Sequence, residues 1–180
     1  MIRFLIIVCC FFSLQQDEPT LSWNESNKLS WKDFLAKPNL HESAVAITAS
    51  GITFEFSISQ TEDKQVVSYT SNVQALFYPD KSWYKPNLAD AHVLSHEQLH
   101  FDITELFARK FRKRISKLSI SNHIGKDLKK IHLNILKELK AFQKAYDNET
   151  NFSINSESQV KWKISVEEEL NNLSEFKSVN

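Results

Sequence analysis

Glycine is almost missing from this chain, with two in 180 residues, and proline occurs four times. That excludes linker-rich and low-complexity classes and argues against a disordered chain. Cysteine is confined to Cys9 and Cys10. Charge of one sign is lacking too, because 22 Lys and Arg balance 22 Asp and Glu, so no net field points to nucleic acid or an anionic membrane. The apolar run Phe4-Leu5-Ile6-Ile7-Val8-Cys9-Cys10-Phe11-Phe12 is too short to span a bilayer comfortably.

With Arg3 in front of it, that run has the plan of a secretory leader. We read residues 1–16 as a signal peptide and residues 17–180 as one domain, exported to the periplasm or the extracellular space. The rival readings are an uncleaved anchor and a lipid anchor on the cysteines, the latter opposed by bulky Val8 just before Cys9. Removing the leader leaves no cysteine at all, so stability must come from packing and from any bound metal.

The hydrophobic period changes halfway along the chain, which implies an α+β fold. Trp31 and Phe34 precede Pro38 as core anchors. Residues 44–49 and 52–58 read as two strands joined at Ser50-Gly51; in the second, Ile52, Phe54, Phe56 and Ile58 alternate with polar residues. Residues 65–71 and 73–78 continue the pattern, giving a small antiparallel sheet. After Pro86-Asn87, with Asp90 as cap, apolar positions recur at Val93, Leu99, Ile103, Leu106, Phe107 and Phe111, the period of a helix. A second helix is expected over 126–146 with Leu128, Ile131, Ile135, Leu139, Phe142 and Tyr146 as its stripe, and a third over 157–173 with Trp162 and Val166 inward. Arg109, Lys110, Arg112, Lys113 and Arg114 read as a solvated basic face at a helix end. Asp102 and Glu105 read as surface charges, with Glu105 pairing with Arg109.

His96-Glu97-Gln98-Leu99-His100 fits H-E-x-x-H. Two imidazoles one turn apart can aim ring nitrogens at one ion, and the glutamate beside them can take a proton from water. Chance supplies such a match in roughly one or two of a hundred chains like this one, so context has to carry it. The step from His96 through His100 and Ile103 to Phe107 places both histidines on the buried stripe. A catalytic zinc needs a third protein ligand. His92 shares the face, but three histidines on one straight helix span about two turns and cannot surround an ion. An antiparallel second helix would bring Tyr146-Asp147-Asn148-Glu149-Thr150 back towards the histidines. Asp147 is the candidate, against the plain reading of a charge at an exposed helix end; Glu149, Glu138 and His132 are the reserves.

The run from His96 to Leu106, Ala108-Arg109-Lys110, then Tyr146-Asp147-x-x-Thr150 and Gln159-x-x-Trp162, resembles a family of predicted bacterial secreted zinc-dependent proteases catalogued as domain of unknown function 922. Trp31-x-x-Phe34 and segments 44–51 and 77–83 fit it as well. The resemblance implies a zincin-like metallohydrolase with His96 and His100 as metal ligands and Glu97 as general base, and it favours Asp147 as the third ligand. Relatives often carry a histidine and a glycine shortly after the threonine, where Phe152-Ser153 stand here. That departure puts turnover in question.

The expected activity is a zinc-dependent metallopeptidase acting on a peptide or protein substrate, with no nucleic acid partner and no stable membrane insertion after leader removal. The sheet edge at residues 73–78 is a candidate place for an extended substrate to add, against the plainer reading of an ordinary structural edge, and Tyr146 is a candidate oxyanion donor, against the plainer reading of an ordinary helix-end aromatic. The alternatives are a secreted zinc-binding interaction module without turnover and a zinc amidase acting on cell-wall crosslinks.

Overall fold

The computed structural model describes residues 19–178; the leader expected over residues 1–16 lies outside the described residues. Five strands precede three helices: β1 (Leu21–Ser22), β2 (Ala46–Ile47), β3 (Ser50–Gln60), β4 (Val66–Phe77) and β5 (Trp83–Tyr84), then α1 (Ala91–Ile115), α2 (Ile124–Thr150) and α3 (Ser156–Asn172). The α+β arrangement inferred from the change of period is what forms. No helix among the described residues is long and apolar enough to cross a membrane.

The β3–β4 hairpin supplies the sheet, with β1 added antiparallel on the far side of β4. Its register pairs Ile52 with Ala75 and Phe54 with Val73. The period-2 alternation thus puts one apolar face on α1, where Phe54 meets Phe111 at 4.7 Å and Phe77 meets Phe101 at 5.8 Å between ring centres. Two boundaries differ from expectation. Gly51 lies inside β3 with an ordinary φ, and the break falls at Thr48-Ala49, where Ala49 N–H donates to the Ser82 hydroxyl. The two strands expected over 65–71 and 73–78 are the single β4. Trp31–Asp33 is one 3-10 turn.

The edge at 73–78 is also taken. Leu21 and Ser22 pair with Phe77 and Leu76, Trp23 N–H reaches Ala75 O, and the Arg112 guanidinium donates to Val73 O. A substrate strand has no free ladder there, because backbone groups already satisfied offer nothing to a newcomer.

Helix α1 begins where Asp90 accepts from Val93 N–H at 2.9 Å and runs through the middle of the molecule, with residues 99–109 buried without interruption. An amphipathic surface helix would show one wet face. This one is enclosed by the sheet, α2 and α3. Hence the correction to its charges: Asp102, Glu105 and Arg109 are buried, not on the surface. Trp23 Nε1, Gln98 Nε2 and Lys28 Nζ converge on Asp102. Glu105 does pair with Arg109 at 2.9 Å, and also with Arg112.

Candidate metal centre

Helix α2 returns antiparallel along α1, its stripe of Leu128, Ile135, Leu139 and Tyr146 buried. It runs four residues beyond the expected end, so Asp147 sits in its last turn rather than in a loop. The return brings Asp147 to the H-E-x-x-H turn. His96 Nε2 and His100 Nε2 are 3.3 Å apart, and Asp147 Oδ1 is 3.4 Å from the first and 2.9 Å from the second. These three ligand atoms form a group that could hold one metal ion. None of the reserves joins it. Glu138 is paired with Arg114, Glu149 accepts from Trp162 Nε1, and His132 is stacked parallel to Phe111 and tilted on Phe54.

The group lies at a cavity of about 300 Å³ whose lining also includes Glu97, Gln143, Phe152, Ser153 and residues 44–48. Glu97 is nearly buried, its main-chain oxygen accepting from the Thr48 hydroxyl. The neighbourhood is strongly coupled. Burial opposes ionisation of Asp147, yet hydrogen bonds and charge from His100 and His96 outweigh it and hold the carboxyl far below its usual range. Burial likewise works against a charged His100 ring. The Asp147 carboxylate, the Glu97 charge and the Gln143 oxygen outweigh it, and the His100 pKa is raised. Two carboxylates facing two imidazoles make a place for positive charge, carried by protons on the rings or by a cation between them.

Ring orientation comes from groups that sequence reading missed. Gln143, one turn before Asp147, takes His100 Nδ1 at 2.8 Å on its Oε1, while its amide reaches Thr104 Oγ1 at 3.2 Å. That bond fixes the proton on Nδ1 and leaves Nε2 free for a metal, the arrangement that metal-binding histidines usually need. The signal was present, since Gln143 and Asp147 are four apart on one helix face. His96 Nδ1, by contrast, is buried with no hydrogen-bond partner among the described residues; Tyr146 stacks on its ring at 4.5 Å. Burial first, then the charges of Glu97, Asp147 and Asp102, push the Tyr146 hydroxyl far above its usual range, so it stays protonated. It is directed at His96 O at 3.4 Å, and behind it stand Trp162 and Phe142.

The rim past α2 is strained. Asn151, Phe152 and Ser153 all have positive φ, 48°, 52° and 74°. Asparagine tolerates that conformation at a helix end; for the other two it costs about 1–2 kcal/mol per residue. The turn is held by Phe152 N–H on Asp147 O at 2.8 Å, Asn155 N–H on Thr150 O at 2.7 Å, and His92 Nε2 at 2.6 Å from Ser153 O. Gln159 donates in turn to His92 O. His92 is therefore a clamp on the rim rather than a ligand.

The model of a family described as "Bacterial protein of unknown function (DUF922)" matches residues 38–153, the stretch from just before β2 to the strained rim. No curated protein and no solved structure matches the chain.

Proposed function

The chain belongs to that bacterial family of unknown function, and from that premise we propose that it is an exported zinc-dependent metallopeptidase. The observation that carries the reading is the triangle of ligand atoms. Two atoms bound tetrahedrally at about 2.0–2.1 Å from one zinc stand roughly 3.3–3.4 Å apart. The two imidazole nitrogens and the Asp147 oxygen are separated by 3.3, 3.4 and 2.9 Å. The donor set of two neutral imidazoles and one carboxylate suits zinc, and three protein ligands leave a position open.

Zinc held there would acidify a water molecule and polarise a substrate carbonyl. Glu97, next to His96 on the cavity wall, takes the proton from the attacking water and delivers it to the leaving amine. Asp147 and the histidines stay fixed, the latter through Gln143 and the Tyr146 stack. For the peptide, β2 supplies what the 73–78 edge lacks. Lys85 N–H donates to Val45 O, so in the antiparallel ladder of β2 with β5 the next pair, Ala46 and Tyr84, is a non-bonded one. The Ala46 N–H and C=O then point away from β5 on a segment that lines the cavity. An extended substrate would add there through the Ala46 donor and acceptor, which have no backbone partner among the described residues.

The purified chain tests this directly, with bound zinc counted and wild type compared with Glu97→Gln on an unfolded protein and on peptidoglycan. We expect one zinc per chain in both proteins, and cleavage of the unfolded protein that falls by about 10²–10⁴-fold in the variant. Zinc retained without any Glu97-dependent cleavage favours the second reading, a zinc-binding module without turnover. One observation leans that way: Tyr146, the candidate oxyanion donor, is buried with its hydroxyl on His96 O. Release from peptidoglycan alone identifies the amidase.

A further inference from the structure

Phe152 is an anomaly that metal binding does not explain. It is a large apolar residue, 64 % exposed, in the left-handed region that aromatic side chains avoid. A helix end needs one left-handed residue, and Asn151 already supplies it. The second and third are extra, and they persist because His92 from α1, itself tied to Gln159 of α3, grips Ser153 O. Strain kept at a cavity rim by two other elements, with no gain in core packing, marks a segment held for what it presents. What it presents is an aromatic ring at the mouth of the metal cavity. Val93 and Val45, both half-buried, line the same cavity, and Ala46, whose peptide group faces away from β5, follows Val45 along the cavity wall.

We propose that Phe152 is a specificity-determining residue: with Val93 and Val45 it forms an apolar subsite, so the peptide this centre takes carries an apolar side chain beside the bond at the metal. The inference rests on the metallopeptidase reading and narrows its substrate class. A peptide lying along Ala46 in extended form sends alternate side chains to the same side, so one of them is delivered to this wall while its carbonyl faces the metal group. An acidic or small side chain would leave the exposed ring in water and gain nothing from it.

The test uses two zinc-binding probes, N-acetyl-leucine hydroxamate and N-acetyl-glycine hydroxamate, titrated into the zinc-loaded chain and into Phe152→Gly. Glycine adopts positive φ freely, so this variant keeps the turn and its Tm should not fall. Wild type should bind the leucine probe about tenfold or more tightly than the glycine probe, and Phe152→Gly should lose most of that ratio while binding the glycine probe as before. A wild-type ratio near one overturns the subsite, as does a ratio that the variant leaves intact. Failure of the metal reading looks different: no zinc is taken up and neither hydroxamate binds. In that case N-acetyl-leucinamide and N-acetyl-glycinamide, followed by NMR, read the subsite alone. A leucine preference that Phe152→Gly abolishes sustains it, and equal binding removes it.

Discussion

On one side of α1, His96, Glu97 and His100 line a cavity; within the next few turns Asp102, Glu105 and Arg109 are buried, with Arg112 half-buried beside them. Both groups put charge where water is scarce. In the second the protein supplies the partners itself: Glu105 is shared by Arg109 and Arg112, and the guanidiniums also donate to Leu170 O, Val73 O and Phe176 O. In the first the accounts stay open. Three ligand atoms crowd within 3.4 Å, and His96 Nδ1 has no partner among the described residues. Buried polar groups closed by the fold serve the fold, and groups left convergent and incomplete await something from outside.

The comparison is most sharply broken at Glu105. Glu105→Ala strands two guanidiniums in a site where the carboxylate is about 1 % exposed, and breaking such a group typically costs about 3–5 kcal/mol. Denaturant unfolding should show that loss, while whatever remains folded still takes up one zinc. Removing metal acts on the other side. At free zinc a hundred to a thousand times the Kd, binding stabilises the native state by about 2.7–4.1 kcal/mol, roughly 10 °C in Tm for a chain of this size. A chelator should remove that increment from wild type, and His96→Ala should show no zinc-dependent rise at all.

Gln143 tests whether orientation matters separately from ligation. Gln143→Ala should weaken zinc binding by about 10–100-fold, equivalent to about 1.4–2.8 kcal/mol, with the metal-free Tm close to wild type. The smallest effect concerns His132, which also has a buried ring nitrogen without a partner among the described residues but lies against Phe111 and Phe54 and belongs to no metal-binding group among those residues. Burial lowers its pKa from the ordinary value of 6.5, so the unfolded chain takes that proton more readily than the folded one. Its contribution is therefore complete above about pH 6.5 and lost as pH falls through the lowered folded value. Comparing wild type with His132→Phe by thermal unfolding at pH 8 and pH 5 should show a shallower acid decline in the variant.

Periodicity alone carried the class of fold and the course of α1 and α2, because alternation in β3 and the three-four step in the helices are imposed by backbone geometry whatever the neighbours. It also carried the pairing of His96 with His100, which is a property of one helical turn; for Asp147 an antiparallel return of α2 leaves a ligand and an exposed helix-end charge as equal readings, and the family resemblance favours the ligand. Burial of the charges on α1 was not legible. Asp102, Glu105 and Arg109 look like surface residues until Trp23, Lys28 and Leu170, distant in sequence, close over them.

The same division holds at the site. Residue types four apart on a helix determine what two side chains can do together, and the sequence states that openly. Which oxygen meets them and which amide orients a ring depend on contacts between α1 and α2, whose contacting residues are far apart in the chain. Those contacts exist only once burial of the apolar stripes has brought the elements together, and that is why tertiary structure alone decided them.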